Sequence, residues 1–375
     1  MTTTNDPKQK IPVVDLEDVS PEALRVAFGR YGLVYVRSHG ISPSEVDALY
    51  DLFARFSRRP EEYKRTLGRG DLWYQRGWTP PNTERAVVAG GQPDFKECYF
   101  VAPMELDPVA RLHYPQIYAD NIWPDDGEGF PAAEFRERYL TLGQKLHAAG
   151  EALLRGCAIA LDLPADTFTR MIGGGPHVTR VLHYLALRPD QVDTGVLWGE
   201  EHTDFNLLTL LPGGRFYDPA GRPSPRPDDK SGLWLRTRAT PEAPRGELVQ
   251  GRPPEGCIVA QVGQMLEILT GGAFLATPHV VTAPGTPGYA RMSSAHFIHL
   301  HSNQLLFPLD KFQDAEAVRA YSPPVLAGTY SMKTLVDIGL APPAALDRLG
   351  YRQYDRLGSI RAAEIAEAAA RDPGA

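Results

Sequence analysis

Apolar positions along this chain change their spacing several times, and each change marks an element. Residues 21–29 and 43–58 repeat apolar side chains at helical steps, the second through Val46, Leu49, Tyr50, Leu52 and Phe53, so both predict amphipathic helices. Between them Leu33, Val34, Tyr35 and Val36 run unbroken, the pattern of a buried strand. Gly, Pro and polar residues interrupt 60–92, where Trp73, Tyr74 and Trp78 need either burial or a ligand. A long helix follows over 132–161, with Phe135, Tyr139, Leu142, Leu146, Leu153 and Leu154 on one broad stripe. From 177 to 300 short strand patterns alternate with turn signals, as in a jelly roll. Residues 314–372 return to helix and end in an Ala-rich segment, and no internal repeat is visible.

The predicted fold class is mainly β with flanking helices, built on a double-stranded β-helix (jelly roll, cupin-like) core. Three regions are expected: an N-terminal region over 1–125, the jelly-roll core with its long supporting helix over 126–310, and a C-terminal helical cap over 311–375. At 375 residues the chain exceeds one typical domain, yet a jelly roll with added helices reaches this size as one unit.

Charge and cysteine usage narrow the function classes. The formal charge is −7, acidic and basic residues are interspersed, and no basic block stands out, which argues against nucleic acid as a partner. Cys98, Cys157 and Cys257 are odd in number and far apart, so they offer neither a disulfide framework nor a Cys-x-x-Cys motif. The opening ten residues are polar, and no apolar run approaches a membrane span. The expectation is an enzyme of the reducing cytoplasm.

Its candidate chemistry lies in His202, Asp204, His279, Arg291 and Ser293. The run Phe205 to Leu211 reads as a buried strand and Gly199, Glu200 and Glu201 as a loop, so His202-Thr203-Asp204 sits at a strand mouth. On a strand, residues two apart face the same side, and one ion can take both His202 and Asp204. His279 precedes Val280-Val281, a further short strand, and the 284–288 turn reads as a hairpin into a strand from 289 to 300. Two imidazoles and one carboxylate on one face of an octahedron leave three positions open, the arrangement non-haem Fe(II) uses to gather a chelating cosubstrate and O2. Arg291 and Ser293 share a strand face, where a planar guanidinium and a hydroxyl make a carboxylate receptor. Each feature alone has a plain reading as a surface pair or a solvated face; their order on successive strand ends favours the joint one.

Other residues have weaker claims. His299 and His301 form a His-x-His on one strand face, with no carboxylate indicated for a second metal site. His39, His113, His147, His177, His183 and His296 read as structural. Trp198, Phe205 and Phe297 are candidates for a substrate pocket, with core packing the default for Phe297. The stretch 212–230, rich in Gly, Pro, Arg and Asp, is a loop by composition, either a surface excursion or a cover over the site.

Taken in order, His-x-Asp, a distal His and Arg-x-Ser resemble the isopenicillin N synthase-like group of iron(II)- and 2-oxoglutarate-dependent dioxygenases. The likeness extends over most of the chain, through Ile11-Pro12-Val13-Val14-Asp15-Leu16, Tyr31-Gly32-Leu33-Val34-Tyr35-Val36, Ser38-His39-Gly40-Ile41, Asp94-Phe95-Lys96-Glu97 and Thr179-Arg180-Val181-Leu182-His183-Tyr184. It implies Fe(II) on His202, Asp204 and His279, and 2-oxoglutarate with its far carboxylate on Arg291 and Ser293. Tyr184 is implied as a further hydrogen-bond partner of that carboxylate. The implied reaction uses O2 to oxidise an unactivated C–H bond by hydroxylation, desaturation or cyclisation, releasing succinate and CO2, in secondary metabolism. The chain departs from the family in Val280, where Arg is common, in Gly263-Gln264, where Gly-Asp is usual, and in its longer 212–232 connection. Relatives that oxidise without 2-oxoglutarate keep the same motifs, so a same-fold oxidase stays open here, as does a non-catalytic small-molecule-binding jelly roll.

Overall fold

The computed structural model describes residues 11–83, 94–192, 198–239, 241 and 243–347. Strands β1 (Val13–Asp15), β2 (Leu33–Arg37), β3 (Gly77–Thr79), β4 (Lys96–Val101) and β5 (Val178–Tyr184) precede the site. They are followed by β6 (Gly199–His202), β7 (Leu208–Leu211), β8 (Gly214–Tyr217), β9 (Pro223–Ser224) and β10 (Gly232–Arg236). β11 (Leu248–Gln250), β12 (Ile258–Val262), β13 (His279–Thr282) and β14 (Ala290–Ile298) complete the two main sheets. The larger sheet runs β1-β2-β12-β7-β14-β5-β4-β3, with β8 paired to β14 and β9 to β8, and the smaller runs β11-β10-β13-β6. Their inner faces meet in an apolar cluster that joins Phe100, Leu182 and Tyr184 of the larger sheet to Leu233 and Val281 of the smaller. This is the jelly roll that the strand pattern predicts.

Period-two alternation divides the larger sheet between two environments. On β14, Arg291, Ser293, Ala295 and Phe297 line the interior cavity, while Met292 and Ile298 belong to the core on the opposite face. That core packs against helix α1 (Pro43–Ser57), held at its start by a Ser42/Glu45 capping box, and the long helix α2 (Ala132–Ala160). Close approach of α2 depends on glycines: a Cβ at Gly150 would stand 2.2 Å from Ile298 Cδ1, and one at Gly143 would stand 2.5 Å from Thr179 Oγ1. Tyr139 of α2 fixes the register, receiving the Val181 N–H at 2.9 Å and donating to Tyr99 O at 2.5 Å.

Trp73 and Trp78 of the irregular 60–92 stretch are accounted for by burial, whereas Tyr74 is only half-buried. Trp78 is buried and donates its Nε1–H to Glu97 at 2.8 Å, and Trp73 packs with Tyr114, Tyr118 and Met332. Glu97 also receives Lys64 at 2.8 Å and pairs with His183 at 3.0 Å. Burial works against the Glu97 charge, but His183 and Lys64 hold its pKa at about 2. Beyond β14 the chain forms a short strand pair (Leu305–Leu306 with Val325–Leu326), a short helix (Ala315–Tyr321) and helix α3 (Ala327–Asp337), and the Ala-rich 348–375 segment lies outside the described residues. No helix among the described residues is long and apolar enough to cross a membrane.

Three local expectations are corrected. Residues 199–202 are a strand and 203–207 are not, so His202 and Asp204 converge through a bend rather than strand alternation. β6 escapes the apolar pattern because it is an edge strand, carrying Glu201 in a two-bond pair with Arg236 of β10 at 2.7 and 2.8 Å. The 284–288 turn is not a β-hairpin: β13 pairs with β10 and β6, and β14 with β5, β7 and β8, so it carries the chain from one sheet to the other. The stretch 212–230 is not all loop either. At Pro212-Gly213, where Gly213 has φ 102°, the strand bends, and β8 then continues along the same edge of β14 as β7.

Candidate active site

His202 ends β6, His279 begins β13, and the two are cross-strand partners whose ring centres lie 4.3 Å apart. Asp204, just past β6, brings Oδ1 to 3.7 Å from His202 Nε2 and 3.8 Å from His279 Nε2. One donor atom from each residue lies within 4.8 Å of the others, the one such His/Cys/Asp/Glu group of three or more among the described residues. Ligand bonds of about 2 Å place these donors within reach of a single ion. His279 is oriented for it: Nδ1 stands 3.2 Å from the Thr277 carbonyl, which takes that N–H and leaves Nε2 as the ligand atom.

Asp204 is held from the opposite sheet. Its Oδ2 accepts the Thr209 hydroxyl and the Gln261 side-chain amide, both at 2.7 Å, which leaves Oδ1 facing the imidazoles. Burial opposes the charge, yet the two imidazoles and these two donors keep the carboxyl below its ordinary range. Gln264 completes the support, giving its backbone N–H to Asp204 O at 2.7 Å and its side-chain amide to Thr203 Oγ1 at 2.5 Å. Its Oε1 accepts from Tyr330 of α3. Gln therefore bridges the ligand loop to a C-terminal helix at the position where the family's Asp usually stands.

Two cavities open on the triad. The larger, about 420 Å³, is lined by all three residues together with Tyr184, Arg291 and Ser293. Arg291 and Tyr184 are partners in the β14–β5 ladder, with the guanidinium carbon 5.3 Å from the Tyr184 ring centre. The polar ends of Arg291, Ser293 and Tyr184 have no hydrogen-bond partner among the described residues, although Ser293 and Tyr184 are buried. A fork of N–H donors and two hydroxyls left open on one wall fit a carboxylate. Gly214 makes room for the fork, since a Cβ there would lie 2.4 Å from Arg291 Nη2.

The smaller cavity, about 180 Å³, reaches His202 and Asp204 between Phe100, Phe205, Phe297, His299 and residues of α3. Lys96 and Arg180 border both cavities. Neither ring nitrogen of His299 has a hydrogen-bond partner among the described residues, and burial, with Arg76 nearby, lowers its pKa to about 3. His301 pairs with Asp107 at 2.9 Å, so the His-x-His splits between two environments.

Residues 176–300 match the family model of the 2OG-Fe(II) oxygenase superfamily, and residues 11–126 match the model described as non-haem dioxygenase in morphine synthesis N-terminal. The chain belongs to the 2OG-Fe(II) oxygenase superfamily. Among curated relatives, the homoarginine-6-hydroxylase 2-ODD-233 of Oryza sativa subsp. japonica is 27% identical over 285 residues, covering 74% of this chain and 77% of its own. Azadirone synthase LFS of Melia azedarach is 29% identical over 269 residues, covering 70% and 73%. A solved 2OG-Fe(II) oxygenase family protein from Caulobacter crescentus superposes with a TM-score of 0.68 at 25% identity, over 88% of this chain and 99% of the other. This oxygenase is an oxidoreductase that uses Fe(II), 2-oxoglutarate and O2 to oxidise a small molecule.

Sequence reasoning missed Thr209 and Gln261, and it read His299 only as half of a His-x-His pair rather than as a wall of the smaller cavity. The first two carried a signal, each being the lone polar residue of an apolar strand, Leu-Thr-Leu-Leu in β7 and Ile-Val-Ala-Gln-Val in β12. Of the candidate pocket aromatics, Phe205 and Phe297 reach the cavities. Trp198 instead packs behind Tyr184, ring centres 5.4 Å apart, and donates to Leu185 O.

Proposed function

We propose that His202 Nε2, Asp204 Oδ1 and His279 Nε2 hold Fe(II), and that Arg291, Ser293 and Tyr184 hold the far carboxylate of 2-oxoglutarate in the larger cavity. The observation that carries this reading is the pairing of a three-donor cluster with an anion receptor, its polar ends unpartnered, on the wall of the same cavity. When bound, iron, 2-oxoglutarate and O2 supply the oxidant for an unactivated C–H bond and release succinate and CO2.

The protein's share is position and exclusion. Thr209 and Gln261 keep Oδ1 of Asp204 directed at the imidazoles, and Thr277 fixes the His279 tautomer. The Arg291 fork sets the depth of the cosubstrate in the cavity. Phe100, Phe205, Phe297 and Leu335 give the smaller cavity an apolar wall that excludes water and receives the prime substrate. We place the enzyme in the cytoplasm and in small-molecule secondary metabolism, without a nucleic-acid partner; the interspersed charge and the small cavity support that placement.

The test is 2-oxoglutarate-dependent succinate release by the iron-loaded enzyme over a panel of amino acids, terpenoids and aromatic acids. A panel member that raises succinate yield, with His279→Ala inert toward it, is the expected result. Substrate oxidation that continues without 2-oxoglutarate would overturn the cosubstrate assignment, and wild-type turnover by His279→Ala would overturn the ligand assignment.

A further inference from the structure

The larger cavity holds more positive charge than one carboxylate anchor requires. Arg226, two residues past β9, turns back into this cavity and lines it with Arg291. Its guanidinium carbon lies 5.8 Å from the Phe216 ring centre, and Nη1 donates to Ser231 O at 2.6 Å. Phe216 is the cross-strand partner of Arg291 in the β8–β14 ladder. Directly opposed residues of an antiparallel pair project from the same face, so Phe216 stands beside Arg291 and brings the second guanidinium to the same wall. The fold makes space for it, since a Cβ at Gly232 would come within 3.2 Å of Arg226 Nη1.

No carboxylate is committed to Arg226 among the described residues. Asp228, the acidic group nearest in sequence, spends Oδ1 on the backbone N–H groups of Lys230 and Ser231 and Oδ2 on that of Gly285. Burial, and then the charges of Arg252 and Arg291, press the Arg226 pKa below its ordinary value, with Asp228 and Asp229 opposing. Two guanidinium groups facing one cavity, neither in an ion pair among the described residues, make an arrangement that a bound anion relieves.

We propose that Arg226 is a second cationic anchor for the far carboxylate of 2-oxoglutarate, supplied by the 212–230 stretch and acting beside Arg291. The inference rests on the reading of Arg291 as the first anchor. It gives the extended connection a cosubstrate-positioning role and makes recognition at this end bipartite, one guanidinium from the sheet and one from the segment that covers it.

The experiment measures equilibrium binding by calorimetry to the Mn(II)-loaded enzyme without O2, so that no turnover occurs. The ligands are 2-oxoglutarate and 2-oxobutyrate at millimolar concentration, the latter sharing the chelating end but lacking the far carboxylate. Arg226→Ala is expected to weaken 2-oxoglutarate about tenfold, as loss of one partly solvated charge-assisted contact does, and to leave 2-oxobutyrate and Mn(II) affinity unchanged. Arg226→Lys is expected to recover most of the loss, and added salt to weaken 2-oxoglutarate less steeply in Arg226→Ala than in wild type. Unchanged 2-oxoglutarate affinity in Arg226→Ala, or an equal loss for both ligands, overturns the proposal. If Arg291→Ala loses the preference for 2-oxoglutarate while Arg226→Ala keeps it, the second anchor alone fails. If wild type shows no preference between the two ligands, both anchor assignments fail.

Discussion

Thr209 and Gln261 are direct cross-strand partners on β7 and β12, and both donate to the same oxygen, Oδ2 of Asp204, at 2.7 Å. The larger sheet thereby aims a carboxylate that belongs to a bend beyond the smaller sheet. Removing the Gln261 amide leaves Thr209 as the one side-chain donor on Oδ2 and also takes away an amide that lies 3.4 Å from His279 Nδ1. Gln261→Leu is expected to stay folded and to lose about 10- to 100-fold in iron affinity, the range for groups that orient metal ligands. Competition titration with a chelator measures it, and an unchanged affinity would show that Thr209 and the backbone hold Asp204 without the Gln261 amide.

Arg291→Ala removes the guanidinium fork from the cavity wall that Ser293 and Tyr184 share. A charge-assisted contact contributes about 1.5–3 kcal/mol, so the 2-oxoglutarate dissociation constant is expected to rise roughly 10- to 150-fold with little change in iron affinity. Arg291→Lys keeps the charge without the planar fork and is expected to fall between the two. If succinate yield at low 2-oxoglutarate were insensitive to either change, the anchor would lie elsewhere.

The sequence revealed the ligands more readily than the reason they converge. Arg291 and Ser293 were legible because strand alternation holds along β14, where residues 291, 293, 295 and 297 line one cavity. His202 and Asp204 were legible by residue type, but not by local geometry, because β6 is a charged edge strand and Asp204 is set by bonds from residues 209, 261 and 264. Long-range bonds of that kind leave no periodic trace. The sheet to which β14 belongs was misread for a related reason: a short Pro/Gly turn has the same composition whether it closes a hairpin or carries the chain between sheets. The helix α2 stripe was plain, whereas the need for Gly143 and Gly150 appears only once Thr179 and Ile298 are seen against them.

Glu97 carries a stability prediction. Its carboxylate collects Lys64, Trp78 and His183, and both members of the Lys64–Glu97 pair are almost wholly buried. Glu97→Gln leaves the Lys64 ammonium without its counter-charge in the core, a change that costs about 3–5 kcal/mol in comparable buried pairs. Denaturant unfolding of the variant is the check, and a loss under about 1 kcal/mol would show that Lys64 relaxes to water.

Four buried histidines, His299 on the wall of the smaller cavity and His147, His177 and His296 behind it, make acid lability the final expectation. His147 Nδ1 lies 3.2 Å from His296 Nε2, His296 Nδ1 lies 2.9 Å from Thr179 Oγ1, and the His177 ring packs 4.4 Å from that of His147. Burial lowers the pKa of all four, to about 4 for His147, to about 3 for His299, and well below the ordinary value for His177 and His296. Mutual repulsion among these imidazoles deepens the shift for His177 and His296. In the unfolded chain each titrates near 6.5, so the unfolded state binds more protons at every pH between that value and the folded ones. Stability from the cluster is therefore complete above about pH 6.5 and is lost as pH falls, by about 1.4 kcal/mol per pH unit for each proton taken up on unfolding. Glu97 and Glu45, whose folded pKa values are both about 2, add their losses only below the usual carboxyl range near 4.5, which keeps the two windows apart. Denaturation midpoints of the iron-free protein at pH 7.5, 6.5 and 5.5 read the histidine window without ligand release from His202 and His279. A midpoint that falls steadily below pH 6.5, with a shallower fall in His177→Gln, is the expected result; a flat profile down to pH 5.5 would mean that these imidazoles protonate in place.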